Sequence, residues 1–237
     1  MHLDLESPRQ ALPWAFSQAL YHLFRGSAFV ILPAMEAPLG NRTWTVEEYL
    51  AFEATSEQRH EFRNGTVVAM AGSSYEHSAI EANTHLAIGE RLRGKSCRTH
   101  EGKLRVRFSG TPLYGYPDVL IICGPPVFDS ADKARTTILN PTVVIEVLSP
   151  STEAYDRGEK FSRYLRIESL SEYVLVAQDR SRVETYFRTG DGTWVFSYFD
   201  GLQSAARFRS LEIEIPLAEI YADIEFPPEG TLVPVPV

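Results

Sequence analysis

Two short runs of branched aliphatic residues each carry a carboxylate where a buried strand normally excludes one. This anomaly constrains the chain more than any other feature. The first run is Val119-Leu120-Ile121-Ile122, entered through Tyr116-Pro117-Asp118. The second is Val143-Val144-Ile145-Glu146-Val147-Leu148, entered through Pro141-Thr142. Runs of Val, Ile and Leu bounded by turn residues mark strands covered on both faces. A carboxylate in such a place is costly unless it is paired, protonated or bound to a metal. For Asp118 and Glu146 together the simplest partner is one shared divalent cation; the competing explanation is a buried ion pair with an arginine.

Composition narrows the setting. A chain of 237 residues with 44% apolar content accommodates one large domain with extensions. No apolar run approaches the roughly 18 residues that cross a bilayer. Asp4 and Glu6 precede a weakly apolar stretch, the wrong charge order for a secretory signal, so a cytoplasmic location is expected. Cys97 and Cys123 read as buried reduced thiols and cannot alone make a zinc site. The net charge of −8 argues against a generic nucleic-acid coat, yet Arg91, Arg93, Lys95, Arg98, Lys103, Arg105 and Arg107 face only Glu101, a local excess of six. That segment is either a solvated helix end and strand face or a phosphate-facing patch.

Along the chain, residues 1–44 form an N-terminal extension, loosely attached, with a helix expected between Pro13 and Phe24 and a possible natural start at Met35. Residues 45–226 form the main domain, and 227–237 a Pro-rich tail without expected order. Thr45-Val46-Glu47-Glu48 is a capping box opening a short helix through Glu53. Asn64-Gly65 joins two strands in a tight hairpin. Ser73-Ser74 caps a helix from about Tyr75 to Arg93, with Ala79, Ile80, Leu86, Ala87 and Leu92 as its apolar face. Then come a strand alternating Leu104, Val106 and Phe108 against Lys103, Arg105 and Arg107, the Asp118 strand, the Glu146 strand, a helix from about Asp156 to Ile167 and the Tyr173–Ala177 strand. The first three strands fit a meander. The Glu146 and Tyr173 strands, joined through a helix, are expected to be parallel. Arg182–Phe187 and Trp194–Phe199 add an antiparallel pair, and a short helix near Leu217–Tyr221 ends the domain. The fold class is therefore α/β, with a mixed central sheet flanked by helices and extra antiparallel strands.

On neighbouring strands, Asp118 and Glu146 can share Mg²⁺ or Mn²⁺, with the Val147 carbonyl as a third oxygen. Oxygen ligands with open water positions suit phosphodiester hydrolysis. Lys160, early in the next helix, is placed to stabilise developing negative charge or simply pairs with Asp156 at i, i+4.

The spacing of Pro117-Asp118 and Glu146 and the helix-strand-strand-strand-helix-strand (αβββαβ) order resemble the PD-(D/E)XK nuclease superfamily, with its restriction-endonuclease-like core. More narrowly, Thr45-Val46-Glu47-Glu48-Tyr49-Leu50, Asn64-Gly65, Glu76-His77-Ser78, Tyr116-Pro117-Asp118-Val119 and Glu146-Val147-Leu148-Ser149-Pro150-Ser151-Thr152 resemble the Uma-type restriction-endonuclease family, over about Thr45 to Phe226. The superfamily's usual lysine sits two residues after the strand glutamate, where this chain has Leu148, and the resemblance nominates Lys160 instead. It also nominates His77 and Glu61 as auxiliary site residues, and Glu76 or Glu81 as a carboxylate from the first long helix.

The resulting expectation is a Mg²⁺- or Mn²⁺-dependent endonuclease acting on DNA, with Asp118 and Glu146 as metal ligands and Lys160 as third catalytic residue. It does not engage a membrane. A homodimer is expected, because exposed edge strands such as Trp194–Phe199 invite pairing and two active sites would cut both strands. The rival is a catalytically inactive module of the same fold that binds nucleic acid or a protein partner.

Overall fold

The computed structural model describes residues 38–70 and 72–226; the expected N-terminal helix and the Pro-rich tail lie outside them. The chain opens with α1 (Val46–Glu53), the hairpin β1 (His60–Arg63) and β2 (Thr66–Ala69), and α2 (Tyr75–Arg91). Six strands follow: β3 (Cys97–Glu101), β4 (Arg105–Arg107), β5 (Leu113–Gly115), β6 (Val119–Cys123), β7 (Thr137–Ile138) and β8 (Val143–Leu148). A helical stretch comes next, made of α3 (Glu153–Tyr155), a π-helical turn (Asp156–Lys160) and α4 (Phe161–Tyr164). The domain ends with β9 (Glu172–Ala177), β10 (Arg182–Arg188), β11 (Trp194–Asp200), β12 (Ala205–Phe208), β13 (Ile213–Pro216) and α5 (Leu217–Ile220).

Local chemistry sets the first elements. Thr45 Oγ1 accepts from the Glu48 amide at 3.2 Å while Glu48 Oε2 accepts from the Thr45 amide at 2.8 Å, closing the capping box. At the hairpin Asn64 and Gly65 both take positive φ, 50° and 90°, the backbone that a two-residue turn between twisted strands requires.

The main sheet runs β11-β10-β9-β8-β6-β3. β6 pairs antiparallel with β8, and β8 parallel with β9, as the crossover predicts. Apolar layers cover both faces. On one, Ile80 and Ile88 of α2, with Phe208, Ile215 and Ile220, pack on Val119, Ile121, Ile145 and Val174. On the other, Tyr164, Ile167 and Val106 pack on Leu120, Val144, Tyr173 and Leu175. Coverage on both sides explains why every residue of β8, Glu146 included, is buried.

Three expectations are corrected. The strand flanking β6 is β3, not the Leu104–Phe108 stretch. The latter becomes β4 in a second sheet, ordered β2-β1-β5-β4-β7. Its alternation therefore misleads in part: Arg107 is exposed as expected, but Arg105 on the same side is 1% exposed, donating to Asp132 Oδ2 at 3.0 Å. The cysteines are not free thiols, because antiparallel pairing of β3 with β6 sets Cys97 directly opposite Cys123 and they form a disulfide. On α2, Leu86 is exposed, and Ile88 joins Ile80 on the buried face in its place.

Candidate active site

The elements deliver their polar side chains to one cavity of about 450 Å³, lined by Glu61, His77, Asp118, Glu146, Asp156 and Lys160 among others. Pro117 holds Asp118 just ahead of β6, one register step beyond the pair Val119↔Ile145 and thus across from Glu146. Asp118 Oδ2 accepts from the Val147 amide at 2.7 Å, which fixes the carboxylate against the neighbouring strand. His77, in the first turn of α2, donates from Nε2 to the Val147 carbonyl at 3.0 Å and lies 3.5 Å from Asp118 Oδ2. The carbonyl expected to face a cation thus already accepts one hydrogen bond, from His77.

Glu146 is 2% exposed. Lys160 Nζ lies 2.8 Å from its Oε2, 3.2 Å from Asp156 Oδ1 and 4.0 Å from Glu61 Oε1. The π-helical turn places Asp156 and Lys160 together: both ends of its five-residue span are buried while Gly158 and Glu159 are exposed. Among the described residues no arginine pairs with either carboxylate. The lysine reaches Glu146, and it also makes the i, i+4 pair with Asp156. Glu61 is anchored from β1 by Arg63, whose guanidinium lies 2.6 Å from its Oε2.

Burial drives the electrostatics. Desolvation pushes the Glu146 carboxyl well above the usual range; Lys160 opposes this, and the charges of Asp156 and Asp118 add to it. Burial alone would lower Lys160, but Glu146, Asp156 and Glu61 hold its ammonium well above the ordinary lysine value. Glu81 is raised by burial and then by Asp118. His77 is raised as well, since Asp118, Glu81 and the Val147 carbonyl outweigh a larger burial effect in the other direction. This negative site therefore favours a cation.

The donor set fits a divalent metal. His77, Glu81 and Asp118 each offer one ligand atom, all within 4.8 Å of one another. Glu146 Oε1 and His77 Nδ1 are buried with no hydrogen-bond partner among the described residues. Glu81 thus stands ahead of Glu76, which is exposed and absent from the cluster. The signal for it was present in the sequence, because His77 and Glu81 are one helical turn apart. Sequence reasoning gave no role to Tyr116 and Tyr155, or to the hydroxyls of Ser149, Ser151 and Thr152, all of which line the cavity.

A mixed sheet flanked by helices, carrying this cavity at the β6–β8 junction, defines a mixed α/β protein of restriction-endonuclease-like fold. The chain belongs to the Uma2 family, described as "Putative restriction endonuclease", whose model matches residues 46–218. Two uncharacterised proteins of Synechocystis sp. are similar to it. One is 32% identical over 181 residues, 76% of this chain and 92% of the relative; the other is 30% identical over 169 residues, 71% and 94%. The fold is also similar to the crystal structure of a "putative nuclease belonging to DUF820" from Anabaena variabilis. The TM-score is 0.60 and the identity 18%, over 74% of this chain and 96% of the other. No described helix is long and apolar enough to cross a membrane.

Proposed function

We propose that this chain is a divalent-metal-dependent endonuclease that hydrolyses phosphodiester bonds in DNA. The observation that carries this reading is the convergence of Asp118, Glu146 and Lys160 on one cavity, with Glu146 Oε1 buried and unpartnered. Family membership supports the reading at the level of a nuclease. Asp118 and Glu146 would hold Mg²⁺ or Mn²⁺, with Glu81 and His77 beside them. A bound metal of this kind polarises a phosphoryl oxygen and acidifies a coordinated water. Lys160, kept as an ammonium by its three carboxylates, adds fixed positive charge where negative charge develops on the phosphate. Glu61 and Asp156 hold that ammonium in place. We also assign a homodimeric working form, since β11 ends the sheet with its outer edge unpaired among the described residues.

The test is nicking of supercoiled plasmid in Mg²⁺ or Mn²⁺ by the wild type, Asp118→Asn and Glu146→Gln. Metal-dependent nicking lost in both variants supports the assignment. A folded wild type that cuts neither duplex, single-stranded DNA nor RNA would instead be an inactive module of the same fold. Leu148, standing where the superfamily's usual lysine sits, favours that alternative.

A further inference from the structure

The basic segment between Arg91 and Arg107 is largely taken up by the fold. Arg91 pairs with Glu219, Lys95 donates to the Leu211 carbonyl, Arg105 is buried on Asp132, and Arg107 pairs with Asp129. Arg93, Arg98 and Lys103 remain, exposed along the edge formed by β3. Arg98 spends its hydrogen bonds on the carbonyls of Lys95 and Cys97, so no carboxylate among the described residues offsets its charge. Lys103 has only the exposed Glu101, at 3.6 Å. A fourth cation arrives from the β6–β7 connection: Arg135, its guanidinium 4.4 Å above the Phe128 ring. Lys103 and Arg135 line an open groove of about 540 Å³, together with His85, His100, Glu101 and Phe128.

This groove adjoins the candidate site in two ways. His77, Glu81 and His85 recur every fourth residue on one face of α2, so that face passes from the carboxylate cluster to the groove. Gly102, between His100 and Lys103, is pressed against the backbone leading into β6. A Cβ there would lie 3.2 Å from the Pro117 carbonyl and 3.4 Å from that of Asp118.

We infer that the β3 edge, through Arg98, Lys103 and Arg135, is the track on which this protein holds the phosphodiester backbone of its nucleic-acid substrate beside the cutting site. In a protein of net charge −8, such a local strip is what a polyanion would seek, because Lys and Arg release the counterions condensed on phosphates. The inference rests on the nuclease reading for the meaning of the neighbouring site, and on charge and placement for itself.

The test uses a fluorescein-labelled duplex DNA in Ca²⁺, with binding followed by anisotropy from 50 to 300 mM salt and the duplex checked on a denaturing gel. The proteins are the wild type, Lys103→Glu/Arg135→Glu, and the charge-matched control Arg207→Glu/Arg209→Glu on the β12–β13 hairpin, whose two arginines do not line the groove. Equal urea midpoints establish that each is folded. The track predicts at least a tenfold loss of affinity for the first pair, a salt slope lower by about two, and near wild-type binding by the control. Equal binding by all three proteins, equal loss in both variants, or no binding by the wild type overturns it. Plasmid nicking separates the two ideas. A wild type that nicks but shows no effect of the reversal loses the track and keeps the nuclease; one that binds through these residues and never nicks does the opposite.

Discussion

Replacing Lys160 by Met tests the centre of the site through stability before activity is consulted. The side chain is 7% exposed and its ammonium lies 2.8, 3.2 and 4.0 Å from carboxylate oxygens of Glu146, Asp156 and Glu61. At an effective dielectric of about 20, each contact is worth roughly 4 to 6 kcal/mol of gross attraction, most of it offset by the loss of hydration. Removing the cation leaves three buried carboxylates facing one another, and one-sided removal of a buried charge costs about 3–5 kcal/mol. For a domain of this size that is a fall in Tm of about 6–20 °C. Glu146→Gln/Lys160→Met, which removes the strongest pair together, recovers at least about 2 kcal/mol of the sum of the single losses. Urea unfolding at pH 7 without added metal measures all three variants. A single variant within about 1 kcal/mol of wild type, or strictly additive losses, would show that Lys160 does not neutralise this cluster. The result also sets the temperature at which any Lys160 variant can be assayed for cleavage, since loss of activity above its lowered Tm would report unfolding.

Further outcomes follow from the same geometry. Glu81→Gln is expected to weaken Mn²⁺ binding, followed by titration calorimetry, at least tenfold, whereas Glu76→Gln leaves it unchanged; equal effects would remove Glu81 from the metal cluster. Asp132, held below the ordinary carboxylate value by Thr137, Thr136 and Arg105 against the opposing effect of burial, contributes stability that is present above its unfolded pKa and lost as pH falls through its folded one. Asp132→Asn therefore costs about 3–5 kcal/mol at pH 7, and the gap to wild type narrows below about pH 4 in urea titrations; a gap independent of pH would refute the pairing. Gly65, at φ 90° with a built Cβ only 2.8 Å from the Thr43 methyl, should lose about 1–3 kcal/mol on substitution by Ala, read from thermal melts.

What the sequence revealed was governed by range. The capping box at Thr45 and the Asn64-Gly65 turn are written in adjacent residues, and both form as read. Asp118 and Glu146 were visible because a carboxylate beside or within an aliphatic run breaks a strong pattern. The second sheet was not legible: β4, β5 and β7 have two or three residues each, too short for any period to show. The outward reading of Arg105 failed because alternation says which residues share a side, not whether that side meets solvent. The Cys97–Cys123 bond depends on a strand register across 26 positions. Lys160 was nominated by the resemblance, but its contact with Glu146 depends on a π-helical turn that residue spacing does not announce.

That turn divides control of the site between two parts of the molecule. Asp118 and Glu146 are set by the register of β6 against β8, a quantity that changes only in whole residues. Lys160 travels instead with a helical segment seated on aromatic rings, Phe161 lying 5.0 Å from Tyr173 and 4.4 Å from Tyr186. Trimming that cushion, by Tyr186→Leu for example, is expected to disturb the seat of Lys160 and leave the β6–β8 register that sets the two carboxylates intact. The cation and the pair of acids are therefore positioned by separate packing, which would not be so for a lysine carried on the same strand as Glu146.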